Sequence, residues 1–77
     1  MKICTKLVTY DAGDHSLAES IADFESDGRV WVAVTGTIDP VSRLPFVRLV
    51  GEPEAVLTAL QDGWDLSYDE VLDLLEG

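Results

Sequence analysis

The sequence is short of base. Five Lys and Arg stand against 15 Asp and Glu over 77 residues, a net charge of −10 with the single His neutral, and neither Lys nor Arg occurs after Arg48. A field of that sign repels nucleic acid and anionic lipid, so neither is expected as a direct ligand. Cysteine occurs once, at Cys4, which excludes an internal disulfide and with it the stapled secreted scaffolds, and fits a reducing, cytoplasmic setting. No apolar run approaches the roughly 20 residues of a membrane-spanning helix, and Met1-Lys2-Ile3 leads into a patterned segment rather than a signal peptide. Repeats, low-complexity tracts and Pro/Gly/Ser linkers are lacking too, so a single domain over residues 1–77 is expected.

Apolar residues are plentiful. At 47% hydrophobic, the chain can form a core despite its acidity. A chain of 8.4 kDa buries only about 60% of its unfolded surface, so its stability is modest.

The β-branched and aromatic run Ile3 to Tyr10 predicts a strand that ends at the turn formers Asp11-Ala12-Gly13-Asp14. Ser16-Leu17-Ala18-Glu19 has the spacing of a capping box, and Leu17, Ile21 and Phe24 form an apolar stripe; a helix from Leu17 to about Ser26 follows, with Gly28 placed to end it. Arg29 to Thr37 and Leu44 to Val50 read as the second and third strands of a hairpin, joined through Asp39-Pro40. Pro53, with acids around it, opens a second helix that buries Val56, Leu57 and Leu60 and stops at Gly63. Ser67-Tyr68-Asp69-Glu70 is a second capping box, opening a last helix with Val71, Leu72, Leu74 and Leu75 apolar.

The order β-α-β-β-α-α predicts an α+β fold with a three-stranded, mainly antiparallel sheet and helices packed on one face. It resembles a ferredoxin-like β-α-β-β-α-β unit in which a helix replaces the last strand. Both sheet faces carry apolar groups: Val30, Val32 and Val34 alternate with Trp31, Ala33 and Thr35. One face should hold the first two helices. The other is expected to be partly covered by the last helix or to meet a partner, cover being the simpler arrangement.

Chemistry-bearing motifs are few, and no enzyme or cofactor is expected. His15 lies near Asp11 and Asp14, but no second His or paired Cys completes a zinc set, and no Gly-rich phosphate loop is present. Cys4 sits in a strand pattern as a small hydrophobe. Asp65, Ser67, Asp69, Asp73 and Glu76 match oxygen-ligand positions of a calcium loop, yet the position that must be Gly for the sharp turn is Glu70.

The charge layout says more. Residues 1–48 hold 7 acids and 5 bases, net −2; residues 49–77 hold 8 acids and no base, net −8. Asp62, Asp65, Asp69, Asp73 and Glu76 recur every three or four positions, with Glu70 beside them, which predicts a carboxylate row along the last helix and its approach. Helix one adds Glu19, Asp23 and Asp27. Such a one-sign field speeds and orients encounter with a basic partner. The expected role is a non-catalytic interaction module occupying the basic surface of a nucleic-acid-binding protein, with Trp64 and Tyr68 either as aromatic anchors or packed under the two C-terminal helices. In size and charge the chain resembles the small acidic inhibitors that phages direct against restriction or CRISPR machinery, which would act in the host cytoplasm. Acids four apart on a helix lie about 6 Å apart along its axis, sparser than the roughly 3.4 Å phosphate spacing of one DNA strand, so Glu52, Glu54 or helix one would have to contribute. Two alternatives stand beside this one. The first is a small ferredoxin-like regulatory or assembly subunit that binds a small ligand or homodimerises through the edge of strand one or three. The second is a halophilic domain whose carboxylates serve solubility.

Overall fold

The run expected as one N-terminal strand forms two short pieces, β1 (Ile3–Thr5) and β2 (Val8–Thr9), on the same side of β4 (Pro45–Gly51). This is seen in a computed structural model that describes residues 1–76. Cys4 pairs with Val50 and Val8 with Val47, so the N-terminal strand advances four residues while β4 advances three. The extra residue at Lys6-Leu7 is a bulge, which bends the strand and increases its twist.

The remaining elements are α1 (Leu17–Phe24), β3 (Val30–Ile38), α2 (Pro53–Gly63), α3 (Tyr68–Leu74) and β5 (Leu75–Glu76). Ser16 caps α1 by accepting the Glu19 N–H at 3.2 Å. The helix stops at Phe24, the last residue of its apolar stripe and short of the expected end near Ser26, and the Glu25 N–H closes it onto the Ile21 carbonyl at 2.9 Å. Gly28, at φ 73°, takes the left-handed turn into β3. Pro53 stands in the first turn of α2, where its missing N–H costs nothing. Both bonds of the second capping box form, between Ser67 and Glu70.

Two expectations about the sheet are corrected. The last strand is present: after α3 the chain extends as β5, with Leu75 opposite Thr5 and Glu76 opposite Cys4. Two residues carry no strand periodicity, so this element left no trace in the pattern. Second, β4 and the N-terminal strand are central, and the edges are β3 and β5. The antiparallel order β3, β4, β1/β2, β5 is that of the complete split β-α-β arrangement, with a five-segment curled sheet in place of three strands.

Alternation then assigns the two faces. Ile3, Thr5, Val8, Val30, Val47 and Leu49 point toward the helices and are buried with Val56 and Leu60 of α2 and Val71 of α3. Each fully buried aliphatic side chain contributes about 1.5–3 kcal/mol. Leu17, Ile21 and Phe24 of α1 pack on this core without being fully buried. Since Val71 anchors α3 on the same side as the other helices, α3 does not cover the second face. Glu76, Cys4, Val50 and Trp31 are successive cross-strand neighbours on that face, with Arg48 beside Ala33 in the next row.

Candidate functional site

Helix formation sorts the charges by layer. The three helices carry Glu19, Asp23, Glu54, Asp62, Asp69, Glu70 and Asp73 and no Lys, Arg or His. All five bases, Lys2, Lys6, Arg29, Arg43 and Arg48, lie on strands or loops. The helical carboxylates are exposed, as amphipathic helices on one face of a sheet must leave them. Among the described residues there are two ion pairs. The Met1 ammonium meets Glu52 at 3.0 Å, and Arg48 meets Glu76 at 3.4 Å. Neither involves a helical acid. Both pairs are solvent-exposed and contribute little to stability.

The structure distributes the residues of the expected row over several settings. Asp69 and Asp73 lie one turn apart on α3, both exposed. Asp73 is in the last turn, where the helix dipole disfavours an anion. Glu70 is exposed too, but its carboxylate accepts the Ser67 N–H at 3.3 Å and serves the cap. Asp62 ends the exposed side of α2. Asp65 precedes α3 with φ 53°, so the helical phase does not extend back to it. Glu76 belongs to β5 and lies on the opposite sheet face, against Arg48. The expected row thus reduces to Asp69 and Asp73, with Asp62, Asp65 and Glu70 as flanking acids.

The two aromatic residues part company. Tyr68, the first residue of α3, is 56% exposed. Trp64 is half-buried: its ring lies 6.0 Å from Tyr10 and 5.9 Å from Phe24, and its Nε1–H donates to the Thr9 carbonyl. These contacts join α2, α1 and the N-terminal strand, so Trp64 takes the packing alternative, though against α1 and the N-terminal strand as well as the C-terminal helices.

An open groove of about 770 Å³ runs between α2 and the start of β3, lined in part by Lys2, Asp27, Arg29, Trp31, Glu54 and Asp62. The Lys2 ammonium sits 4.4 Å above the centre of the Trp31 ring, a cation–π contact. The groove mixes signs and does not continue the one-sign helix layer. His15 is exposed in its turn, and no group of three or more His, Cys, Asp or Glu among the described residues could hold a metal ion. Asp39 titrates below the ordinary aspartate range, because its carboxylate accepts the Val41 N–H and the Ser42 hydroxyl, both at 3.0 Å. It braces the β3–β4 loop. Among the described residues no helix is long and apolar enough to cross a membrane.

Comparison with protein-family models, curated proteins and solved structures gives no match.

Proposed function

We propose that the protein is a non-catalytic interaction module whose helix layer engages a basic protein surface. The observation that supports this is the charge of that layer: seven carboxylates on three helices, no base among them, and, among the described residues, no ion pair drawn from them. A surface kept only for solubility usually interleaves both signs, and like charges one turn apart cost a helix about 0.2–0.5 kcal/mol per pair. Asp69 and Asp73 accept that cost. The partner class we favour is a nucleic-acid-binding protein, whose phosphate site is the commonest large basic surface, with Asp62, Asp65, Asp69, Glu70 and Asp73 standing in for phosphates and Tyr68 as the exposed aromatic contact. An inhibitor of this type would act in the cytoplasm that holds its target.

Capture from cell lysate on the immobilised protein tests the reading. Nucleic-acid-binding proteins should be retained at low salt, released at high salt, and displaced by duplex DNA or RNA. The triple variant Asp65→Asn, Asp69→Asn, Asp73→Asn should retain less while keeping its fold. Retention that is indifferent to salt, to nucleic acid and to the triple variant rejects the electrostatic contact.

The spread of carboxylates over all three helices favours a second reading, a surface suited to a high-salt cytoplasm. Circular dichroism separates the two: a halophilic domain loses structure at low ionic strength, whereas an acidic inhibitor stays folded.

A further inference from the structure

We propose that the outer edge of β3 is a pairing site for a second copy of this chain, and that the Glu25 carboxylate occupies that edge in the monomer. β3 is bonded to β4 on one side only. The Val32 N–H donates to Glu25 Oε2 at 2.7 Å, so the backbone polar groups of Val32 face the open edge, away from β4. Strand alternation turns the backbone N–H and C=O of Val30 and Val34 the same way. Beyond Val34 the register shifts and Gly36 takes φ 81°. There the Thr35 hydroxyl donates to the Phe46 carbonyl at 3.0 Å and accepts the Thr37 N–H at 3.3 Å, so the flat, open part of the edge is residues 30–34.

Edge strands are ordinarily protected by their own Lys, Pro or inward-pointing charges. None of the nine residues of β3, VWVAVTGTI, is charged, in a chain of which 26% is. Protection comes instead from Glu25, just past the end of α1. A side-chain carboxylate on an edge amide takes the place that a carbonyl of an added strand would take.

The composition of β3 selects the occupant. Antiparallel pairing about Ala33 sets each Val32 opposite a Val34 across a two-fold axis and brings no like charges into register. The contact is isologous and closes after two copies. A basic foreign strand would find no countercharge on β3 itself. The helical acids lie on another layer, so screening by salt reduces repulsion between two chains of −10 and tightens the dimer. That salt dependence is opposite in sign to the contact with a basic surface, and either can fail without the other.

Sedimentation equilibrium on the full chain, from micromolar to millimolar concentration at low and high salt, tests the proposal. The protein should pass from monomer to dimer as concentration rises, with a midpoint that falls as salt is added. Glu25→Ala frees the edge and should lower the dimer dissociation constant about tenfold or more, whereas Glu25→Gln, which keeps an oxygen acceptor, should stay near the wild type. Val34→Lys should abolish the dimer while circular dichroism reports an intact fold. Exchange of the outward-facing Val34 amide, read on the wild type, should slow on dimerisation. A chain that stays monomeric at millimolar concentration in high salt overturns the proposal. So does a dimer that Glu25→Ala leaves unchanged, or one in which the Val34 amide exchanges as fast as in the monomer.

Discussion

The Thr5 hydroxyl accepts the Leu49 N–H at 2.9 Å in the buried centre of the sheet. The bulge at Lys6-Leu7 displaces the N-terminal strand by one residue against β4, and a side-chain oxygen serves the amide there. Thr5 also donates to the Lys6 carbonyl at 2.8 Å, so its hydroxyl is used as both donor and acceptor and the buried side chain leaves nothing unpaired.

Thr5→Val preserves shape and removes the acceptor. Leaving the Leu49 N–H buried and unpaired should cost about 1–3 kcal/mol in urea unfolding, with Thr5→Ser recovering most of it. Equal stability of the Val and Ser variants contradicts the bond's role.

Gly51 is wedged between two strands, paired with Ile3 on one side and Val30 on the other. A Cβ at Gly51 would lie 2.5 Å from the Arg29 carbonyl oxygen, so Gly51→Ala should destabilise by about 1–3 kcal/mol through backbone displacement. Gly63, with nothing within 4 Å of its would-be Cβ, ends α2 without a left-handed φ, and Gly63→Ala should stabilise by about 0.4–1 kcal/mol. Opposite signs in urea titrations are the expected result.

Trp64 ties three elements together. Trp64→Ala should cost roughly 3 kcal/mol and collapse the near-UV circular dichroism of the Tyr10–Phe24–Trp64 cluster. Trp64→Phe keeps a ring but loses the Nε1–H bond to Thr9, and should fall between the two. An Ala variant as stable as the wild type would return Trp64 to the role of a surface anchor.

Asp39 sets the acid response of the β3–β4 loop. Hydrogen bonds from Val41 and Ser42 hold its folded pKa below the ordinary value. Its contribution is therefore present in full above the unfolded carboxylate value, about 3.9, and is lost as pH falls through the lower folded value. A carboxyl titration by NMR should place Asp39 below the ordinary midpoint, and Asp39→Asn should remove that acid-dependent step from the loop. A midpoint at or above the ordinary value contradicts this.

Much of the architecture was legible in the residues because its signals are local. Ser67 and Glu70 are three apart and make both bonds of their capping box; Pro53 opens α2 and Gly63 closes it. The core positions Val47, Leu49, Val56, Leu60 and Val71 follow from periods of two and 3.6. The carboxylate row was only half legible. The spacing of Asp69 and Asp73 is helical, but Asp65 and Glu76 share that spacing without sharing the helix, since spacing says nothing about where a helix begins and ends.

By itself the sequence determined the α+β class, the helix caps, the strongly negative charge and the absence of any base after Arg48. Each depends on composition or on residues within a turn of one another. Tertiary structure decided the strand order, the addition of β5, the exposed second face, the packing of Trp64 on Tyr10 and Phe24 and the guarding of Val32 by Glu25. These rest on pairings between distant segments, whose hydrogen bonds and packing compete across the whole domain. The acidity present in the composition thus became an acidic helix layer only when the sheet placed all three helices on one side.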